Sequence, residues 1–236
     1  MIKDQDCCIL LFIKYPEKGK VKQRLLGNLN EEIVQGLYKC FVHDTLSTLQ
    51  KMNGYLLICF LPADAQEKFQ QWLGSTLRFL PQRGSNLGER MKNSFISAFS
   101  EGFQRVILMG SDSPDIPIGF LQKACSELQA HDMVLGPTYD GGYYLIGFQD
   151  TAFDQKVFEN IQWGTPSVYT ETLKKIKKKH RRLSVLPVWS DVDTITDLKN
   201  LLIRNQNTSF RSSMTITYLQ QQRIFTEDDD DIRQKK

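Results

Sequence analysis

The sequence predicts an α/β protein in which buried strands alternate with amphipathic helices around a sheet. Three observations carry that prediction. Cys7–Ile13, Tyr55–Leu61 and Val106–Met109 are uninterrupted apolar runs of strand length, as strands covered on both faces must be. Segments with helical periodicity stand between them; Leu87, Met91, Phe95 and Phe99, each four residues from the next, form one apolar stripe. The chain has 236 residues, 41% of them hydrophobic, which is enough apolar material for one large core.

Taken in order, Cys7–Ile13 opens the sheet and a Lys-rich loop, Lys14 to Arg24, follows it. A helix is expected from about Glu31 to Lys51. Asn30 is placed to cap it, Glu31 and Glu32 suit its first turn, and Ile33, Leu37, Phe41 and Leu49 mark its apolar face. Strand Tyr55–Leu61, a short helix from Ala63 to Leu73 and a short strand from Leu77 to Leu80 come next. Asn86–Glu101 reads as a helix, Val106–Met109 as a strand and Ile118–Gln129 as a helix. Met133–Leu135 and Tyr143–Phe148 read as strands, Thr165–Lys179 as a helix, Leu183–Trp189 as a strand and Thr194–Arg204 as a final helix. This alternation is the signature of a doubly wound sheet. Periodicity ends near Asn205, so residues 1–204 are expected to form the domain and residues 205–236 a polar, partly disordered tail. The four acids Asp228–Asp231 repel one another within that tail.

Composition removes several classes of function. A net charge of +3 is too small to imply a nucleic-acid partner. No apolar stretch reaches the length of a membrane span, and the polar start lacks the features of a signal peptide. The five cysteines are odd in number, form no Cys-x-x-Cys pair and lie mostly in apolar runs. They read as reduced core residues of a cytoplasmic protein. The three histidines are scattered, and no P-loop or nucleophile-elbow motif is present.

Four segments carry candidate chemistry. The loop after the first strand holds Lys14, Lys18, Lys20, Lys22 and Arg24, with Gly19 allowing close backbone approach. Ligands of open α/β sheets bind beyond the carboxyl ends of strands, so this loop suits a di- or triphosphate, or is simply a solvated loop. Gly110-Ser111-Asp112-Ser113-Pro114-Asp115 follows the third buried strand. Asp112 there is placed to hold a divalent cation against phosphates, or to tie its own turn, while Asp115 suits a capping role. Asp140-Gly141-Gly142-Tyr143 stands between two strands, where Asp-Gly is also a hairpin signal. Ser190-Asp191-Val192-Asp193-Thr194 joins a strand to a helix. Asp193 or Thr194 can cap that helix, and either aspartate can supply a second metal carboxylate. The basic run Lys174–Arg182 closes a helix, where cations complement the dipole.

Together the motifs Lys14 to Leu25, Gln82 to Met91, Gly110 to Asp115, Gly136 to Gly147, Trp163 to Val168 and Asp191 to Leu198 resemble, in order, those of a bacterial glycosyltransferase-A-like family, the arsenosugar-biosynthesis-type glycosyltransferases. The resemblance implies a Rossmann-like, three-layer α/β/α sandwich of the nucleotide-diphospho-sugar transferase type. By position it implies that Lys14, Lys22 and Arg24 bind phosphate, that Asp112 and Asp193 bind Mg²⁺ or Mn²⁺, and that Gly84, Leu87, Gly88 and Arg90 line the nucleotide pocket. Asp140, Gly141, Gly142 and Tyr143 fall on the acceptor side, with Asp112 and Asp140 the catalytic pair. Gln23 stands where the family has Thr, which removes a hydroxyl from the loop.

The expected reaction is glycosyl transfer from a nucleotide sugar to a small-molecule acceptor, in a cytoplasmic protein that could form a homodimer. Nucleotidyl transfer from a nucleoside triphosphate is the alternative, because the Lys-x-Arg-Leu loop and the separated aspartates also resemble 2-phospholactate guanylyltransferases. A non-catalytic nucleotide-binding protein is the third reading; the joint presence of Lys22, Arg24, Asp112 and Asp193 speaks against it.

Overall fold

The computed structural model describes residues 7–178 and 180–225. Its contacts divide the chain into two interleaved units. Among the described residues, the first comprises 7–15, Leu49–Gly110 and Pro117–Ser190; the second comprises Pro16–Thr48, Ser111–Ile116 and 191–225.

The first unit is the sheet with its flanking helices. Seven strands, β1 (Cys7–Lys14), β2 (Gly54–Leu61), β3 (Arg78–Pro81), β4 (Arg105–Gly110), β5 (Met133–Pro137), β6 (Tyr143–Gln149) and β7 (Leu183–Val185), lie in the order β3-β2-β1-β4-β6-β5-β7. The first three apolar runs form the centre, with β1 parallel to both β2 and β4 and essentially sealed from solvent. The helices are α2 (Gln66–Leu73), α3 (Leu87–Ser100), α4 (Ile118–Glu127) and α5 (Val168–Lys177). Alternation along each strand assigns them to faces. Met91, Phe95 and Ala98 of α3 and Ile176 of α5 pack with Cys8, Leu10, Val106 and Leu108. Cys7, one residue out of phase with Cys8, meets Cys125 of α4 instead. Helices therefore cover both faces of the sheet, giving three layers.

One open reading about this unit is decided and two expectations are corrected. The sheet is mixed, because β6 runs antiparallel to both β4 and β5. Only residues 138–142 separate β5 from β6, too few for the crossover that parallel neighbours need, and the Asp-Gly signal marks a true reversal. Leu183–Trp189 also forms a shorter strand than expected, ending at Val185 with an isolated bridge at Trp189. The cysteines are not all reduced: Cys7 is bonded to Cys125 across 118 residues, while Cys8, Cys40 and Cys59 are free and buried.

The second unit is built on α1 (Glu31–Leu49), α6 (Ile195–Arg204) and α7 (Met214–Gln221). Leu25, Val34, Leu37, Phe41, Val192, Leu198, Leu201 and Leu219 make its buried core. Asn30 caps α1 as expected, accepting from Ile33 N–H at 2.9 Å. Thr194 caps α6 in a reciprocal box with Asp197. Part of the segment expected as a polar, partly disordered tail is helical. Ser209–Ser212 forms a 3-10 turn, and α7 follows with Thr215, Ile216 and Leu219 buried. Asp44 of α1 accepts from the N–H groups of Met214 and Thr215 at 3.0 and 2.8 Å, fixing the start of that helix. The acidic run Asp228–Asp231 lies outside the described residues. Among the described residues, no helix is long and apolar enough to cross a membrane.

Candidate functional site

Four of the sequence candidates converge in the second unit. Lys22 adopts a left-handed backbone, φ 44° and ψ 46°, at the entry to the 3-10 turn Gln23–Leu25. That conformation is costly for a side chain with a Cβ, and what offsets it is visible. Leu25 is fully buried below the turn, while the Lys22 ammonium reaches Asp193 Oδ1 at 2.9 Å and touches Asp112 Oδ1. The Lys22 side chain is 3% exposed, and its Nζ lies 5.5 Å from the centre of the Phe41 ring. Burial alone would lower the pKa of this lysine. The two carboxylates outweigh burial and hold it above the ordinary lysine range. Arg24, largely exposed, approaches the other oxygen of Asp193 at 3.5 Å. Burial pushes the Asp193 carboxyl upward, but Lys22 and then Arg24 outweigh it and leave its pKa below the usual value.

The two carboxylates are delivered by short segments with their own fastenings. Asp112 is the second residue after Gly110, which ends β4; its carbonyl accepts from Val192 N–H at 2.8 Å. Ser113 Oγ donates to Asp191 Oδ1 at 2.6 Å. Asp191 is pushed up to about 7, first by burial and then by the neighbouring Asp112 charge. Asp115, expected as a cap, does not cap α4. Its buried carboxylate accepts from Arg204 Nε and Nη2 at 2.6 and 2.8 Å and from Asn205 Nδ2 at 2.7 Å. It thereby fastens the Asp112 segment to the end of α6, whose opposite end follows Asp193. Capping of α6 by Thr194 leaves the Asp193 carboxylate to the cations.

The rest of the phosphate loop is less concentrated than its composition suggested. Lys18 pairs with Glu32 and Lys20 with Glu17, all at the surface. Gly19 has φ 72°, and a Cβ there would come within 3.1 Å of the Glu31 carboxylate. Gln23 donates to Gly19 C=O at 3.0 Å, so in this chain the side chain that replaces Thr holds the loop together.

The other candidates belong to the first unit. Lys14 closes β1. In the segment before α3, Gln82 is buried and donates to the carbonyls of Cys59 at 2.7 Å and Ile13 at 3.3 Å, anchoring the loop to β2 and β1. Gly84 has φ 140°, and its carbonyl accepts from Arg90 Nε at 3.1 Å. Asn86 caps α3, and Leu87 at its start is an exposed apolar side chain. Gly88 has a packing reason, since a Cβ would lie 2.6 Å from Phe158 O and 2.7 Å from Trp163 Nε1. In the β5–β6 turn, Asp140 Oδ1 accepts from Thr138 Oγ1 at 2.5 Å and from Gly142 N–H at 3.0 Å. Gly141, at φ 89°, lies so close to the Pro166 carbonyl that no side chain fits. The Trp163–Val168 motif is thus packed on both Gly88 and Gly141. Tyr143 turns its hydroxyl toward Met91 Sδ.

The sequence offered Asp191 only as an alternative metal carboxylate and Asp115 only as a cap, and it did not single out Ser113, Arg204 or Asn205. Among the described residues, no group of three or more His, Cys, Asp or Glu is gathered so as to hold a metal ion. The donor set at Lys22 is a pair of carboxylates, the number Mg²⁺ commonly takes from protein when phosphate and water supply the rest. On that chemistry Asp112 and Asp193 fit such an ion.

A family model described as "Uncharacterized protein conserved in bacteria (DUF2064)" matches residues 45–165. A solved structure from Desulfovibrio desulfuricans G20, described as a candidate nucleotide-diphospho-sugar transferase, is 46% identical, with 91% of this chain and 94% of that one covered and a TM-score of 0.88. This chain belongs to the DUF2064 family. As a DUF2064 protein it shares the nucleotide-diphospho-sugar transferase type of fold with more distant structures. Rv0371c of Mycobacterium tuberculosis H37Rv superposes with a TM-score of 0.53 at 14% identity, over 85% of this chain and 99% of that one. A 4-diphosphocytidyl-2C-methyl-D-erythritol synthase from Anaerococcus prevotii DSM 20548 gives 0.56 at 10% identity, over 87% and 100%. No curated protein matches this DUF2064 chain.

Proposed function

We propose that this DUF2064 protein is a metal-dependent transferase that moves a sugar from a nucleotide-diphospho-sugar to a small-molecule acceptor. The convergence of Lys22, Arg24, Asp112 and Asp193 carries the reading. Two cations and two carboxylates at one point suit a ligand that brings both an anion and a divalent cation, as a diphosphate with Mg²⁺ or Mn²⁺ does. The 46% identical relative, described as a candidate transferase of this class, supports the same assignment. Manganese appears with a distant relative of the same fold, Rv0371c.

In this reading Lys22 and Arg24 take the diphosphate oxygens, and Asp112 and Asp193 hold the cation. When bound, that cation neutralises charge developing on the departing diphosphate. Asp140 keeps one oxygen in its turn, held by Thr138 and Gly142, so that the carboxylate has a fixed direction. It would orient the acceptor hydroxyl and take its proton. Gly84, Leu87, Gly88 and Arg90 serve the nucleotide, with the Arg90–Gly84 bond setting the loop. Lys14 would add to the phosphate contacts, and Gly141, Gly142 and Tyr143 would line the acceptor side, as the motif positions imply.

Calorimetry of nucleotide sugars with Mg²⁺, on wild type and Asp112→Asn, tests the binding half. The variant is expected to keep its fold and lose the metal-dependent part of binding. Undiminished Mg²⁺-dependent binding would sink the assignment. Product analysis tests the chemistry. A nucleoside diphosphate released from a nucleotide sugar supports glycosyl transfer, whereas pyrophosphate released from a triphosphate would make the protein a nucleotidyltransferase.

A further inference from the structure

The ammonium of Lys22 occupies the point on which Asp112 and Asp193 converge. It touches Oδ1 of the first and lies 2.9 Å from Oδ1 of the second. A cation bridging those same two oxygens would have to sit there as well. A divalent ion and a buried ammonium repel each other and cannot share one pair of oxygens. Lys22 is 3% exposed and the Asp112 and Asp193 side chains are 49% and 33% exposed, so the lysine lies on the inner side of the pair. Arg24 stands on the outer side, 64% exposed and 3.5 Å from Asp193 Oδ2, where an arriving anion meets it. The lysine is also held from below, by the turn anchored on buried Leu25 and by the Phe41 ring.

We infer that Lys22 is an internal counter-ion that makes metal binding conditional on phosphate. The aspartate pair is closed by its own lysine until an incoming phosphate oxygen draws the ammonium away, and only then is it open to a divalent cation. The inference rests on the reading above that Asp112 and Asp193 are the metal carboxylates. Its consequence is an ordered entry in which anion and metal tighten each other reciprocally. Mutual chelation of metal and phosphate would also couple them, but it would not make the metal's own affinity depend on Lys22.

The experiment measures Mn²⁺ binding by the loss of its free-ion electron paramagnetic resonance signal, with inorganic phosphate as the anion probe. Phosphate is kept too dilute to chelate the metal. Proteins are wild type, Lys22→Met, Lys22→Gln, Asp112→Asn and the double variant Lys22→Met with Asp112→Asn. Lys22→Met is expected to bind Mn²⁺ alone about tenfold or more tighter than wild type, and adding Asp112→Asn should abolish the gain. Phosphate should tighten Mn²⁺ on wild type by a similar factor and on Lys22→Met far less. Equal Mn²⁺ affinity in wild type and the Lys22 variants, both sensitive to Asp112→Asn, would overturn the gate and leave the metal reading standing. No binding in any protein, with or without phosphate, would overturn the metal reading and the gate together. If the Lys22 variants do not fold, the wild-type arm decides: Mn²⁺ affinity unmoved by phosphate overturns the inference.

Discussion

The second aspartate of the Gly-Ser-Asp-Ser-Pro-Asp segment gives the sharpest stability prediction. Asp115 has a side chain with no solvent exposure, and it accepts three hydrogen bonds, two from the Arg204 guanidinium and one from Asn205. Arg204 is 23% exposed and Asn205 is buried, so neither recovers full hydration when the carboxylate is removed. Asp115→Ala therefore takes a carboxylate partner from a mostly buried cation, a change that typically costs about 3–5 kcal/mol. For a chain of this length, that corresponds to a fall in Tm of about 6–20 °C. Urea denaturation followed by circular dichroism, with the melting curve beside it, measures both. Glu32→Gln is the control, since its pair with Lys18 is exposed on both sides and its loss should leave stability nearly unchanged. An Asp115→Ala loss as small as the control's would refute the reasoning, because a sealed carboxylate with three donors cannot then be holding the Asp112 segment to α6.

Three further outcomes are expected. Arg24→Ala should leave Tm almost unchanged, since the side chain is exposed, but weaken nucleoside diphosphates about 10- to 150-fold while sparing the free nucleoside; calorimetry showing equal losses for both would remove the arginine from the phosphate site. Truncation after Asn205 should cost several kcal/mol, because burial of Ile216 and Leu219 contributes roughly 1.5–3 kcal/mol each and Asp44 is left without the helix it caps; an unchanged urea midpoint would show that α7 is dispensable. Iodoacetamide at pH 8 should label essentially no cysteine in the native, unreduced protein. Burial and then the Glu101 charge push Cys8 up to about 12, burial and then Asp44 push Cys40 up to about 11, and burial holds Cys59 above the ordinary thiol range. Mass spectrometry should find three labels after unfolding without reductant and five with it, and five without reductant would rule out the Cys7–Cys125 bond.

Much of the scaffold was legible in the residues because its signals are local. An apolar run such as Cys7–Ile13 has to be covered on both faces, and the strands it predicts lie at the centre of the sheet within a residue or two. Asn30 beside Glu31 and Glu32 marked the start of α1 because a cap needs only the next three residues. Asp140-Gly141 announced a reversal for the same reason. The candidate residues Lys22, Arg24, Asp112 and Asp193 were also nameable from their motifs, each next to the end of an element.

What the sequence could not determine is where side chains distant along the chain meet. Lys22 and Asp193 lie 171 positions apart, and nothing local to either shows that the ammonium sits on the carboxylate pair. Asp115 looked like a cap for the helix that follows it, until Arg204 and Asn205, some 90 residues later, claimed its oxygens. The pairing of Cys7 with Cys125 depends on the face of β1 that α4 covers, and α7 looked like tail because its few apolar residues gain meaning only against α1. Local propensity and periodicity specify which elements form. Electrostatic and disulfide partners depend on distances of a few ångströms, and only the tertiary structure sets those between residues so far apart in the chain.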